Sequence, residues 1–473
     1  MHSAYVAAGA LGVALALSAC GVLEARYQQP PLPVANEWPI AATAGDSATA
    51  DIGWRDFLVE PRLQKLVALA LDNNRDLRVA VLTVEKARAT YRIARAAQLP
   101  AVSASGSLTR EREPGFLLGS PTAVTLSYYS AGVGVSNFEV DLFGRVASLS
   151  HAALEQYLAE AATRRAAQLT LIAEVANAYL TRAADAERLR LARATLVSQQ
   201  ASYRITEQQH SLGAVSALDL SQARTTVESA RADVARYSGA LAQDDNALTL
   251  LVGRPIDAAL LPDTFTPEVS GLRPLPAGLP ATVLLRRPDV LSTEHVLRSA
   301  NANIGAARAA FFPSITLTGN VGGVSSASAG LSKLFASSAS TWSFVPQVTI
   351  PIFQGGALRA GLAGATADRD IALARYEQAI QTSFREVADA LALTQALGEQ
   401  GEAQQALAEA TAHAFRLSEQ RYRAGKDSYL VLLDAQRSDY AAQQALITTR
   451  LAEQANRVTL YKALGGGWRE TAN

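Results

Sequence analysis

Cysteine occurs once in the 473 residues, at Cys20, and methionine once, at the start. A lone cysteine excludes a disulfide framework and any zinc site built on cysteine pairs. Histidine is nearly as sparse. His2, His151, His210, His295 and His413 stand far apart, so no pair has the i, i+4 spacing of a helical metal motif. Neither sign of charge is in excess, with 43 basic and 43 acidic side chains; a dedicated nucleic-acid binder would carry a basic surplus or patch. Aromatic residues make up only 6% of the chain. The hydrophobic share of 49% rests largely on alanine, the best helix former and a residue that buries little area. Motifs of catalysis are missing too: there is no Ser-His-Asp order near a strand-to-helix elbow and no Gly-rich phosphate loop. Gly465-Gly466-Gly467 closes a helical stretch instead of opening one. The expectation is a helix-rich protein that is not an enzyme and needs no cofactor or metal.

Long apolar runs are also missing, apart from one near the start. Ala4 to Leu17 is almost unbroken but too short to span a bilayer as a helix. It leads through Leu17-Ser18-Ala19 into Cys20, the pattern of an export signal followed by small residues. Leu-Ser-Ala-Cys resembles a bacterial lipobox, which implies a signal peptide over 1–19 and lipidation of Cys20. The leader Met1-His2-Ser3 departs from that pattern in carrying no Lys or Arg. Gly21, which is not an aspartate, permits passage to the outer membrane. After residue 20 nothing approaches the ~18 apolar residues of a membrane-spanning helix. A membrane-spanning form of this chain must therefore be a β-barrel.

The chain is written twice, and an offset of about 212 residues superposes its halves. Arg95-Ala96-Ala97-Gln98-Leu99-Pro100 falls on Arg308-Ala309-Ala310-Phe311-Phe312-Pro313, and Leu142-Phe143 on Ile352-Phe353. Glu174-Val175-Ala176 meets Glu386-Val387-Ala388, Gly213 meets Gly425, and Leu251-Val252-Gly253 meets Ala463-Leu464-Gly465. The repeats are expected over 61–254 and 289–464, after an N-terminal extended segment at 20–60. A Pro-rich linker at 255–288 joins them, and a short tail follows at 465–473.

Proline placement supplies the layout. None of the 18 prolines lies between Pro121 and Pro255, and none follows Pro351. Because proline breaks helix interiors, each half has room for a long uninterrupted helix. From Arg145 to Leu212 there is neither proline nor glycine, enough for a helix of roughly 100 Å. Its counterpart runs from about Ala357 to Ala424. Gly213 and Gly425 stand where glycine is favoured just past a helix C-terminus. Return helices then start at Ser216, with Asp219 three residues on, and at Asp427 or Ser428. The hairpins are expected over 144–252 and 356–464. Shorter helices, about Asp76 to Gln98 and Asp289 to Phe311, precede them.

Between short helix and hairpin the hydrophobic period changes to two. Ser314-Ile315-Thr316-Leu317-Thr318-Gly319-Asn320-Val321 alternates polar and apolar, as does Val102 to Thr109. Tyr129 to Ser136 and Trp342 to Ile352 alternate less cleanly. Strand pairs are thus expected at about 101–142 and 313–353. Strands of ten to thirteen residues suit a tilted transmembrane strand, with a Ser/Thr/Asn face toward water and a light apolar face toward lipid. Tyr128, Tyr129, Trp342 and Phe344 suit an interfacial girdle. Four strands cannot close, and an open edge in lipid leaves backbone groups unsatisfied at several kcal/mol each. A barrel must therefore be shared between chains. The fold class is α+β: a shared barrel, four strands per chain, continuing into long helical hairpins. A soluble sandwich on a coiled coil is the competing reading.

The duplication, the Phe-Gly turn after the strands, Tyr422-Arg423-Ala424-Gly425 and Leu432-Leu433-Asp434-Ala435-Gln436-Arg437 together resemble the TolC/OprM family of outer-membrane efflux proteins. The ending Leu460-Tyr461-Lys462-Ala463-Leu464-Gly465-Gly466-Gly467-Trp468 is similar to its lipoprotein branch. The resemblance implies a homotrimer in the outer membrane of a Gram-negative bacterium, with a twelve-stranded barrel and a periplasmic helical tunnel. It implies docking onto a periplasmic adaptor protein and an inner-membrane RND-type pump. The function implied is a passive exit duct for drugs or other small toxic compounds. A type I secretion outlet and a lipid-anchored scaffold that conducts nothing remain as alternatives.

By the same resemblance the periplasmic gate falls on Leu430 and Asp434, with Arg421 and Tyr422 holding the helices closed. The hairpin tips at Gly213 and Gly425 are the expected adaptor contacts. Leu430 and Asp434 are four apart and share a helix face. Repeated by symmetry, a leucine ring would be a dewetting barrier and an aspartate ring a cation-attracting one. The first repeat has Gln209, His210, Leu218 and Gln222 at the corresponding places, so one hairpin alone supplies the acid. The bland alternatives are an intrahelical pair of Asp434 with Arg437, Leu430 as coiled-coil core, and Asp427 as a helix cap.

Overall fold

The computed structural model describes residues 23–39, 52–119, 121–266, 272–273 and 280–466. Cys20, the expected lipidation site, and the signal expected at 1–19 lie outside these residues. So do parts of the linker and the tail from 467. Seven helices and four strands carry the architecture: α1 (Pro61–Asn73), α2 (Arg75–Ala96), β1 (Val102–Glu113), β2 (Val124–Val140), α3 (Arg145–Ser211), α4 (Ala217–Val252), α5 (Pro288–Ala309), β3 (Ser314–Ser326), β4 (Ser340–Thr349), α6 (Ala357–Arg423) and α7 (Tyr429–Ala463). The two longest helices have 67 residues each, in the two proline-free stretches. No described helix is long and apolar enough to cross a membrane.

The chain forms two compact units, and these do not coincide with the two repeats. One unit combines Met1–Pro30, Val84–Glu160 and Ser292–Tyr376; the other combines Pro31–Thr83, Ala161–Leu291 and Glu377–Asn473. Each unit thus takes pieces from both repeats.

The first unit holds an antiparallel sheet of order β1-β2-β3-β4. Val102 stands opposite Val135 in the first hairpin, and Ile315 opposite Val348 in the second. The repeats join where β2 meets β3, with Val133 opposite Val321 and Val135 opposite Gly319. At seventeen residues β2 is longer than expected. A β-bulge between Val135 and Phe138 explains the excess, because it lets the strand resume pairing at Phe138–Leu317. Asn137 takes a left-handed conformation there (φ 52°), and its N–H donates to Thr318 Oγ1 at 3.1 Å. After the sheet, Asp141 Oδ2 accepts the backbone N–H of Ala147 at 2.7 Å and caps α3. The described part of the N-terminal segment runs without regular structure over 23–39. It is fastened to the first unit where Asn301 Nδ2 donates to the Ala25 carbonyl at 2.7 Å.

The second unit contains a hydrophobic core that the repeat pattern does not announce. α1, absent from the expected elements, begins with Pro61 at its first turn and buries Leu63, Leu66, Val67 and Ala70, an i, i+3, i+4, i+7 stripe. These pack with Leu171, Ile172, Val175, Ala176, Tyr179 and Leu180 of α3. Phe57 stacks face to face on Tyr461, with ring centres 4.1 Å apart. Gly253 ends α4 at φ 75°, and a Cβ there would sit 2.5 Å from the Asn73 carbonyl oxygen, so glycine is required on both counts. Arg287 is buried beside the end of α7. Its guanidinium donates to the Ala463 carbonyl at 2.6 Å, to Asp289 at 2.7 Å and to Glu386 at 2.8 Å.

Candidate functional site

The sheet divides its chemistry between two faces. Paired positions share a face, so Val102, Leu108, Val133, Val321, Trp342, Phe344 and Val348 lie together on one side. All are exposed, from 53% for Val133 to 77% for Trp342. The other face carries Ser103, Ser105, Ser107, Thr109, Ser130, Thr316, Thr318 and Asn320. The expected girdle is split by this alternation. Tyr129, Trp342 and Phe344 are on the apolar face, but Tyr128 stands opposite Thr109 and Ser326 on the polar one. Exposed apolar side chains in such a band mark a surface made for lipid.

At the hairpin tips, in the second unit, local sequence sets the turns. Gly213 and Gly425 adopt φ 72° and 70°. The N–H groups of Gly213 and Ala214 donate to His210 and Gln209 carbonyls at 2.9 and 2.8 Å; those of Gly425 and Lys426 donate to Tyr422 and Arg421 at 2.9 Å. Both ends are Schellman motifs. Ser216 then opens α4 with a full capping box, its Oγ accepting the Asp219 N–H at 3.1 Å. The second tip differs. Ser428 is the N-cap of α7 without a side-chain cap bond. Asp427, read from sequence as a cap, instead accepts both arms of Arg421, at 2.6 and 2.8 Å. That hydrogen bonding holds the Asp427 carboxyl below its ordinary range and raises the Arg421 guanidinium.

Arg421 and Tyr422 therefore have separate partners. Arg421 braces its own hairpin, whereas the Tyr422 hydroxyl reaches α3. It donates to Gln209 Oε1 at 3.1 Å and lies 3.2 Å from Thr206 Oγ1. Its ring meets Tyr429 edge-on at 5.9 Å within a small core of Ala223, Leu432 and Leu433. Tyr422 is only 5% exposed. His210, its counterpart in the first repeat, makes no reciprocal bond and contacts the Val215 carbonyl at 3.1 Å. The contact is thus one-sided, and sequence reasoning missed Thr206 and Gln209 as the partners of Tyr422. Leu430 and Asp434 share an outward face of α7: Leu430 is 61% exposed, and Asp434 is exposed and forms no ion pair with Arg437 among the described residues. Within a single chain, then, Leu430 is not coiled-coil core. Leu218 is exposed as well and Gln222 partly so.

An acidic cluster lies farther along the hairpins. Burial, the neighbouring Asp185 carboxylate and the charge of Asp245 together push Asp244 up to about 6, with Arg182 opposing. Arg182 Nε donates to Asp245 at 2.6 Å and its other arm to the Pro262 carbonyl, while Arg188 takes Asp185 at 2.6 Å. A carboxyl whose folded pKa is raised binds its proton more tightly in the native state. Its stabilisation is complete below the unfolded value and is lost as pH rises through about 6. The variant Asp244→Asn is expected to melt higher than wild type at pH 7 and to lose that part of the pH dependence, as differential scanning fluorimetry from pH 4 to 8 will show. Among the described residues no group of three His, Cys, Asp or Glu side chains is placed to hold a metal.

A two-faced sheet with open edges, joined in one chain to a matched pair of 67-residue helices, belongs to the outer-membrane channels. The chain is a member of the outer membrane efflux protein family, whose sequence model matches residues 66–254 and 279–466, one stretch in each repeat. It is 48% identical over 462 residues to the toluene efflux pump outer membrane protein TtgC of Pseudomonas putida, covering 97% of this chain and 94% of that one. To the outer membrane protein OprJ of Pseudomonas aeruginosa it is 44% identical over 462 residues, covering 98% and 96%. Its fold matches the open-state MtrE outer membrane channel of Neisseria gonorrhoeae with a TM-score of 0.84 at 40% identity, over 94% of this chain and 98% of that one.

Proposed function

We propose that three copies of the chain assemble a twelve-stranded outer-membrane barrel and form the passive exit duct of a tripartite efflux system. The observation that carries this is the open-edged sheet with an exposed apolar face, since only closure between chains satisfies its edges in lipid. Cargo enters from an inner-membrane RND-type pump through a periplasmic adaptor, which contacts the tips at Gly213 and Gly425. Lipidated Cys20 adds an anchor in the outer membrane. Leu430 and Asp434 ring the periplasmic mouth, the former as an apolar constriction and the latter as a charge ring that attracts cations. Tyr422 on Gln209 and Thr206 holds the mouth shut, and Arg421 on Asp427 stiffens the tip that carries it.

Relatives named for toluene, solvent and antibiotic efflux point to small, largely apolar toxic compounds as cargo. Deleting the gene from its native host should raise susceptibility to such compounds, and the wild-type gene should restore resistance. An unchanged susceptibility profile across solvents, dyes and antibiotics would remove the efflux reading. A protein-secretion outlet would instead show up as a missing exoprotein.

A further inference from the structure

The apolar face of the sheet is not bare throughout. At the end away from the junctions with α2 and α3, the segment between β3 and β4 folds back onto it. Gly323 shares that face with Val321. A Cβ on Gly323 would run into the Leu334 carbonyl oxygen, so glycine lets the loop come this close. Two bonds pin the loop: Ser325 Oγ donates to the Gly330 carbonyl at 3.0 Å, and the Ala327 N–H donates to the Ser127 carbonyl at 2.8 Å. A cleft of about 470 Å³ remains between them, with Ala104, Ala131, Val133 and Val321 on the sheet side and Leu334 and Phe335 on the loop side. Leu334 is 5% exposed, whereas Val133, Val321 and Phe335 stand open at 53%, 65% and 85%.

Farther along the strands the chemistry changes. The face that carries Ala104 and Leu108 on β1 continues with Arg110 and Arg112, while Glu111 and Glu113 stand on the other face. Positive charge is thus confined to the apolar side. Both arginines are exposed and form no ion pair among the described residues. In their own hairpin Ser127 and Thr125 face them. Ser127 also connects the two features, since it stands opposite Arg110 and holds Ala327 of the loop. Two unpaired guanidinium groups about 7 Å apart along a strand, beside an apolar cleft, fit an acyl chain joined to phosphate. Arginine binds phosphate oxygens bidentately.

We propose that this corner of the sheet binds the phosphorylated glycolipid of the outer leaflet, lipid A, with an acyl chain in the cleft against Leu334 and Phe335 and a phosphate on Arg110 and Arg112. The inference rests on the outer-membrane barrel proposed above, which turns this face to lipid and this end to the cell exterior. It adds a specific lipid ligand to that barrel. Position selects the leaflet, because β1 and β2 join α2 and α3 at the opposite end of the sheet.

The test uses the full-length protein, delipidated in detergent, and native mass spectrometry with added bisphosphorylated lipid A, its dephosphorylated form or phosphatidylglycerol. Wild type should retain bisphosphorylated lipid A about tenfold more strongly than either of the others. Arg110→Gln/Arg112→Gln should lose that preference and still bind the dephosphorylated form weakly. Ala104→Phe, which fills the cleft, should weaken both glycolipids alike. Equal retention of lipid A by wild type and either variant, or phosphatidylglycerol held as strongly as lipid A, would overturn the site and leave the channel reading standing. A wild-type protein that is monomeric by light scattering would overturn the channel reading, and the site with it.

Discussion

Replacing Tyr422 by phenylalanine should make the outer membrane leak. The hydroxyl ties the end of α6 to α3, through Gln209 at 3.1 Å and Thr206 at 3.2 Å. The bond to Gln209 contributes about 1 kcal/mol net, since the Thr206 proton already goes to the Ser202 carbonyl, and the ring stays in place, so the packing on Tyr429 is kept. Three copies opening together would lose about 3 kcal/mol, a shift of roughly 10² in the ratio of shut to open mouths. The readout is uptake of an antibiotic too large for ordinary porins, in cells carrying the variant in place of wild type. Susceptibility should rise severalfold or more. Gln209→Leu should behave alike, because it removes the acceptor. Arg421→Ala should do less, since its pair with Asp427 stays within one hairpin and the guanidinium is exposed to solvent. Equal leak from all three would mean that the tips act as a single electrostatic cluster.

Arg287→Ala is expected to be the most damaging single substitution away from the sheet. The guanidinium is 5% exposed and joins the last carbonyl of α7 to Asp289 and Glu386. Removing it empties a packed site and strips partners from a buried carbonyl. Broken buried pairs cost about 3–5 kcal/mol. The lower end applies here because both carboxylates are about half exposed. The unfolding temperature should fall on the order of 3 °C, and limited proteolysis should open the chain near residue 463. Arg287→Lys should recover part of the loss, as a single donor replaces a fork. A variant as stable as wild type would show that the core around Tyr461 and Phe57 holds this end by itself.

Much of the architecture was legible because it is written in absences. A stretch without proline or glycine from Arg145 to Leu212 matches α3, and Gly213 and Gly425 mark the tips to the residue. Alternation located all four strands and the polar face of the sheet. What failed to show was whatever depends on distant partners. α1, at the start of the first repeat, was assigned no element because its stripe of Leu63, Leu66, Val67 and Ala70 is short and gains meaning only against α3. The bulge at Asn137 lengthened β2, and a period-two pattern cannot announce an inserted residue. The internal repeat tells which residues are equivalent and not which ones touch. It aligned Tyr422 with His210, yet Tyr422 binds Gln209 and Thr206. Asp427 likewise had the composition of a cap, but Arg421, six residues earlier, offered it a bidentate partner.

Single-channel recording in planar bilayers tests the central claim most directly, with wild-type trimers compared with Asp434→Ala. The account predicts a small, cation-preferring conductance for wild type. In the variant the conductance should rise severalfold and the cation preference should weaken, because the acidic ring is gone. Well-folded protein that conducts nothing in either form would contradict the claim of a duct. Equal conductance and selectivity in both would contradict the gate at the hairpin tips.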